Sequence, residues 1–474
     1  MSRKIMIEPV TRIEGHAKIS IYVDDDGQVE RAFFHVNEFR GFEKFCEGRM
    51  FYEMPWITPR ICGICPVSHH LAAAKTADGI AGVAPTRTAN LLRELMHMGQ
   101  IIQSHALHFF ELAGPDLILG FDASPAVRNV AGLIQQQPEL ALKGVGLRRY
   151  GQEIIRTLGE KKVHPRFAVV GGVNAALTPA GRDAILAGID QSLADAKLGV
   201  NLARSWLEDH GDYATHFASF PCGYMGMVRD DGALELFEGK IRLTDCNGRE
   251  LVRFAGAQYL DHVGEHVEPW SYLKFPYYLP FGWPDGSYRV GPLARLNVAS
   301  HISTPLANEE HKRWKALNGG KPVEGTLYYH YARMIEVIYA LERVQQLLDD
   351  PDILSNDIVV NSNEVTGHAV GAIEAPRGTL FHDYHTDGDG KLTRVNFIIA
   401  TGHNNWAMNK AVEEVAKGYV DGNHLTEGML NRVEAAIRAY DPCLSCSTHA
   451  VGQMPLAVSL LGPGGQELDY RVRG

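Results

Sequence analysis

Four cysteines in two matching pairs are the residues of this chain best suited to chemistry. The first pair stands in Arg60-Ile-Cys62-Gly-Ile-Cys65-Pro-Val-Ser-His69, the second in Asp441-Pro442-Cys443-Leu-Ser-Cys446-Ser-Thr-His449. A Cys-x-x-Cys spacing lets both sulfurs grip one metal. Four thiolates select soft or borderline ions: zinc, nickel, copper or iron–sulfur clusters. A structural zinc site is the ordinary meaning of two such pairs, but they then stand roughly 15–20 residues apart. Here most of the chain lies between them, so the tertiary fold must close the site. A thioredoxin-like disulfide needs one pair in a βαβ setting, which neither motif has.

The elements that must position these sulfurs can be read from pattern. Residues 4–10, 16–23 and 29–36 alternate apolar and polar around an Asp24-Asp-Asp-Gly27 turn, which predicts a small antiparallel sheet. The Ala-rich run 66–82 predicts a helix with Cys65 at its start and His69 one turn on. Residues 87–113 carry apolar side chains at helical spacing. Thr178-Pro179 reads as the start of a long helix to Leu207. Residues 210–300 read as strands and loops, 325–349 as an amphipathic helix, 379–399 as a hairpin, and 405–418 and 426–440 as helices. The expected class is mainly α (α+β): a large central helical bundle with small peripheral antiparallel sheets. There is no repeat and no linker.

Other features have plainer readings. Asp387-Gly-Asp389-Gly390 lacks the later bidentate glutamate of a calcium loop and reads as a turn. Gly462-Pro-Gly464-Gly465 reads as a flexible turn. His97, His105 and His108 share one helix without cysteine or carboxylate partners at ligand spacing, and read as packing or hydrogen-bonding histidines. No Gly-x-Gly-x-x-Gly follows a strand, so no nicotinamide site is expected on this chain.

Composition is that of an ordinary globular protein, 45% hydrophobic and 22% charged. A net charge of −10 with no basic run argues against a nucleic-acid surface. No run of 18 apolar residues predicts a membrane span. The opening residues carry no apolar signal core, and seven cysteines, four of them in metal-type pairs, suit a reducing compartment. The expected location is cytoplasmic.

Five motifs in order carry a resemblance that spans the chain. They are Glu8-Pro9-Val-Thr-Arg12-Ile-Glu14-Gly15-His16; Arg40-Gly41-Phe42-Glu43 with Gly48-Arg49; the run at 60–69; Glu374-Ala375-Pro376-Arg377-Gly378; and the run at 441–449. Together they resemble the large, catalytic subunit of nickel–iron hydrogenases. The stretch from Ile61 to Ser104 is most similar to the soluble, bidirectional, NAD-reducing branch. The resemblance implies reversible, heterolytic splitting of H2 into protons and electrons. It implies nickel held by Cys62, Cys65, Cys443 and Cys446, with Cys65 and Cys446 bridging to an iron that carries one CO and two CN. Arg377 matches the arginine above the metals, anchored by Asp441. Pro376 and Thr401 match positions around the cyanides, and His69 a donor to a bridging sulfur. Glu14 matches the carboxylate that relays protons from a cysteine thiol. Glu43, the Phe397 carbonyl and His449 match the ligands of a magnesium ion. Ala400 departs from the proline often found there in other branches.

Electrons must leave, and Cys46, Cys222 and Cys246 make no cluster motif. A small iron–sulfur subunit is therefore expected as partner, and the branch implies diaphorase subunits with FMN and NAD beyond it. The same chemistry coupled to NADP or a deazaflavin is the alternative within the family. Outside it stand a zinc-stabilised scaffold and the cysteine-lacking quinone-site subunit of respiratory complex I. The family also implies cleavage after His449 by a maturation endopeptidase. Residues 1–449 are then the one working domain and 450–474 a maturation peptide.

Overall fold

Cys65 is the last residue before the helix Pro66–Ile80 in the computed structural model, which describes residues 3–447, 456–461 and 467–473. Proline at the first helical position gives up no hydrogen bond, because that N–H has no partner inside the helix. The helix is buried on almost every side. It lies against the strand His368–Ala375 so closely that a Cβ at Gly371 would sit 2.5 Å from the Ala72 carbonyl. Only glycine permits that approach.

The next helix, Arg87–Ala106, starts at Thr86, whose side chain accepts the Ala89 N–H. It continues as a π-helical turn, Leu107–Ala113, and a last helix, Gly114–Leu119. Around it pack Pro138–Gly159 and Tyr329–Leu348, and Ile189–Asp209 covers the latter. These helices form the central bundle that the sequence predicts. Its main apolar core runs from Ile7 to Cys446, so both cysteine pairs sit inside it.

Small sheets surround the bundle. The N-terminal one pairs Arg3–Ile7, Ala17–Val23 and Val29–Val36 antiparallel, with Asp24 closing the turn by accepting the Asp26 and Gln28 N–H groups. A second sheet has the order Tyr288–Arg289, Gly223–Val228, Lys240–Thr244, Glu250–Phe254, and its first pair is parallel. The third joins His368–Ala375, Gly378–Thr386 and Leu392–Ile398 antiparallel. Pro376 and Arg377 form the two-residue turn of its first hairpin, and Asp387 caps the second by accepting the Asp389 and Lys391 N–H groups.

Five expectations need correction. The stretch 210–300, read as strands and loops, also holds the helices Gly211–His216 and Pro292–Val298. The segment from Thr178 is two helices, Pro179–Leu186 and Ile189–Asp209, broken near Gly188. Tyr329–Leu348 is buried nearly all round rather than amphipathic, because other elements cover its polar side as well. The hairpin expected at 379–399 has a third strand, His368–Ala375, beside it. The predicted span 87–113 changes from α to π geometry at Leu107. Asn405–Tyr419 and Glu427–Arg438 are helices as expected, the second capped by Thr426. Among the described residues no helix is long and apolar enough to cross a membrane. The turn 462–465 and His449 lie outside the described residues, and the flanking strands Leu456–Leu461 and Glu467–Arg473 pair antiparallel.

Candidate metal centre

The four cysteine sulfurs converge. Sγ of Cys62 and Cys443 are 3.2 Å apart, Cys65 and Cys446 3.4 Å, and Cys443 and Cys446 2.8 Å. All four lie within 4.8 Å of one another, all are buried and none is in a disulfide. The N–H groups of Ile64 and Cys65 point at the Cys62 sulfur, at 3.2 and 3.4 Å. Hydrogen bonds from the other three cysteines hold the Cys62 thiol well below its ordinary pKa, while burial pushes Cys443 and Cys446 well above theirs.

The two chain ends are laced together at this point. Glu14 and Cys443 form an isolated parallel bridge: the Glu14 N–H donates to the Pro442 carbonyl and the Leu444 N–H to the Glu14 carbonyl. Gly15 is obligatory beside it, with φ +85° and a would-be Cβ 2.8 Å from the Leu444 Cβ. The Glu14 carboxylate accepts from the Ser445 N–H at 3.0 Å and the Cys443 thiol at 3.1 Å. It is half-buried. Arg40 donates to the Ile61 and Ser445 carbonyls, tying one cysteine segment to the other.

Arg377, at the hairpin turn, donates from Nε to the Asp441 carbonyl at 2.5 Å and from Nη2 to the Asp441 carboxylate at 3.0 Å. Its Nη1 is buried with no hydrogen-bond partner among the described residues. Burial works against its charge, but Asp441 and the cysteine sulfurs outweigh burial and hold the guanidinium firmly protonated. Asp441 itself sits at φ +55°, a left-handed conformation that costs a non-glycine residue energy and is held by its surroundings.

A small cleft opens beside Cys65, Cys443 and Cys446, walled by His69, Ala375, Arg377, Leu380, Ile399, Ala400 and Thr401. Thr401 accepts the Cys443 N–H at 3.0 Å, leaving its hydroxyl hydrogen able to donate. His69 Nδ1 is 3.2 Å from His382 Nε2. Pro376 lies between two lining residues, and its carbonyl accepts from Arg295. At the edge of the third sheet the Glu43 carboxylate accepts the Phe397 N–H at 2.8 Å. Thus the structure brings together Glu14, His69, Arg377, Ala400, Thr401 and Asp441 around the sulfurs, and Glu43 and Phe397 at a neighbouring point.

Sequence reasoning missed several supports. Gln100 and Gln103 both donate to the Ile64 carbonyl, at 2.9 and 2.8 Å, fixing the loop between Cys62 and Cys65. Arg295 donates to the carbonyls of Ala375 and Pro376 and pairs with Glu336 and Glu374, all three fully buried. The available signal was polar residues on otherwise apolar helices. His105 and His108 are hydrogen-bonded as expected, to Glu336 and the Arg438 carbonyl, and His97 packs on Phe237.

Four convergent buried thiols beside a fixed cation and a carboxylate suit a soft or borderline metal with a base at hand. The family described as nickel-dependent hydrogenase matches residues 40–140 and 228–449, and one described as HoxL-like matches residues 4–39. The chain belongs to the nickel-dependent hydrogenase family. The NAD-reducing hydrogenase HoxS subunit beta of Cupriavidus necator is 45% identical over the full length of both chains. In Methanococcus voltae, one subunit of the F420-non-reducing hydrogenase vhu is 43% identical, over 87% of this chain and 98% of that one. A solved NAD+-reducing [NiFe]-hydrogenase in the H2-reduced state superposes with a TM-score of 0.92 at 44% identity, covering 94% of this chain and 99% of the other. The protein is therefore a hydrogenase subunit of the catalytic type, acting reversibly on H2. The zinc-scaffold and complex I readings fall away.

Proposed function

We propose that Cys62, Cys65, Cys443 and Cys446 would hold a nickel–iron centre, and that its electrons pass through partner subunits to NAD. The carrying observation is the set of four convergent sulfurs, with Arg377 and Glu14 against them. The residues fit the group. Thiolates suit nickel. The adjoining cleft is small and largely apolar, walled by Ala375, Leu380, Ile399 and Ala400, with Arg377 Nη1 and the Thr401 hydroxyl as its donors. That is a setting for CO and two CN on iron.

When bound, the centre supplies the Lewis acid and the electron acceptor for a nonpolar molecule that must be split heterolytically. This chain handles the protons. Cys443 releases one to the Glu14 carboxylate, 3.1 Å away, and the half-buried position of Glu14 opens the way outward. Arg377 stays charged over the cleft, fixed by two bonds to Asp441. His69 lines the same cleft beside Cys65, where a hydrogen bond from its ring would tune that sulfur. Pro376 and Thr401 shape the pocket of the diatomic ligands. Glu43, the Phe397 carbonyl and His449 take a magnesium ion, whose preference for oxygen and water accounts for the carboxylate and carbonyl.

Electrons need a carrier outside this chain. Among the described residues the other cysteines, Cys46, Cys222 and Cys246, join no metal-type group. Phe39 and Phe45, which flank the Arg40–Glu43 motif, and Tyr52 stand exposed and offer apolar contacts to the small iron–sulfur subunit. NAD as acceptor, with FMN on a diaphorase partner, rests on the 45% identical HoxS relative and on the solved NAD+-reducing enzyme. The setting is cytoplasmic. Residues 1–449 form one domain, and 450–474 are removed by a maturation endopeptidase. That reading rests on the family resemblance of the run Asp441–His449. Purified with its partners, the enzyme should reduce NAD+ under H2 faster than NADP+ or a deazaflavin. A preference for either of the latter overturns the acceptor, and a full-length mass on active, nickel-loaded enzyme overturns the cleavage.

A further inference from the structure

The hairpin that presents Arg377 at its turn carries a second set of metal-type side chains at its open end. His368 and His385 are direct cross-strand partners, and Asp383 lies two residues before His385. Side chains alternate along strands, so all three share one face. On that face Tyr259 packs against Phe381 and Asp383, while the opposite face turns His382 toward His69. His368 Nε2 is 2.8 Å from Asp383 Oδ1, and His385 Nε2 is 3.6 Å from the same oxygen. One donor atom from each residue lies within 4.8 Å of the others, and the two rings stack at 4.1 Å. Asp383 is fully buried, and its other oxygen accepts the Tyr259 hydroxyl at 2.8 Å. That hydroxyl accepts in turn from Asn396 Nδ2 at 2.7 Å. The carboxylate is therefore aimed by an outer layer of hydrogen bonds, as metal-ligating carboxylates are.

We propose that His368, Asp383 and His385 form a second metal site, separate from the cysteine centre, for a divalent first-row ion of the zinc class. Two imidazoles and one carboxylate suit such borderline ions, with water completing a four-coordinate shell. Magnesium and calcium call for more oxygen ligands than this face offers. Binding replaces the hydrogen bond between His368 Nε2 and Asp383 Oδ1. The half-exposed His368 ring gives the ion its way in. Arg394, opposite His385 on the third strand, brings a positive charge close by and keeps the affinity below that of a thiolate site. A bound ion ties together the two strands that carry the Arg377 turn.

The test uses the holoenzyme with its partner subunits, cleared of loosely held metal and titrated with zinc against a chromophoric chelator. Wild type is expected to take up one zinc per catalytic chain that His368→Ala and His385→Ala bind ~10-fold more weakly or lose, in line with the 10–100-fold effects seen when even outer partners of a ligand are removed. H2-dependent dye reduction, unchanged in both variants, reports an intact fold and cysteine centre. X-ray absorption at the zinc edge of wild type should show only nitrogen and oxygen neighbours, and decides alone if a variant fails to fold. Equal uptake by wild type and both variants, no uptake by wild type, or a sulfur-dominated zinc edge overturns the site.

Discussion

Arg377 and Glu14 reach the same four sulfurs from distant parts of the chain, and each makes a separable demand. Arg377 needs a planar fork to hold both bonds to Asp441 while leaving Nη1 toward the cleft. Lysine offers a point charge on a flexible stem and cannot do both. Arg377→Lys should lower H2 turnover ~10²–10³-fold, the size expected for losing one preorganised donor. Nickel and iron content should hold. Unchanged turnover would make the guanidinium a purely structural ion-pair partner. Glu14→Gln keeps an acceptor for the Ser445 N–H but cannot carry a proton. It should lower H2 oxidation ~10²–10⁴-fold, the usual worth of a positioned proton-transfer group. H2 oxidation at the wild-type rate would remove Glu14 from the proton route. Both residues were legible because they stand in motifs. Gln100, Gln103 and Arg295 were not, since a polar residue inside an apolar helix looks the same whether it supports a loop or faces water.

The element that matters most for geometry is the hairpin His368–Thr386, whose two-residue turn is Pro376–Arg377. Arg295 holds that turn from behind through the Ala375 and Pro376 carbonyls, and is itself fixed by Glu336 and Glu374. Arg295→Met removes those bonds and leaves two buried carboxylates facing each other. It should cost ~3–5 kcal/mol, as breaking a buried ion pair does. A urea midpoint equal to wild type would contradict this. Helices with strong punctuation were readable from sequence: Pro66 after Cys65, Thr178-Pro179, and Thr426. The break at Gly188 was not, because the apolar pattern continues across it. The helix Pro138–Gly159 was overlooked because glycine and alanine interrupt the apolar stripe of its buried face, with Gly144 and Gly151 in close contact with Phe110 and Gly99. The all-round burial of Tyr329–Leu348 depends on what packs against its polar side, which no local pattern encodes.

At the scale of the molecule, the buried core carries neutral histidines. Burial holds His97 and His330 down to about 3 and His105 and His311 down to about 4, against an ordinary 6.5. Below pH 6.5 the unfolded chain therefore binds more protons than the folded one. Their contribution is complete above pH 6.5 and is lost as the pH falls from there toward 3. Glu336, which burial alone would raise, is drawn down to about 2 by Arg295 and His105 and extends the loss below pH 4.5. The denaturation midpoint should be steady at pH 7–8 and decline below 6.5. A midpoint constant to pH 5 would contradict this. The exposed aromatics near Arg40 make a further prediction. Phe45→Glu should reduce co-purification of the iron–sulfur partner with secondary structure unchanged, and undiminished co-purification would place the interface elsewhere. Mainly helical architecture was legible from the chain as a whole, but which helix covers which was not. The claim on which all of this rests is that the four cysteines hold a nickel–iron pair. An infrared spectrum of the purified enzyme with its partners, taken alongside metal analysis, tests it most directly. Bands of metal-bound cyanide and carbon monoxide with nickel and iron both present are predicted; zinc alone, without such bands, in processed protein that still carries its partners would contradict it.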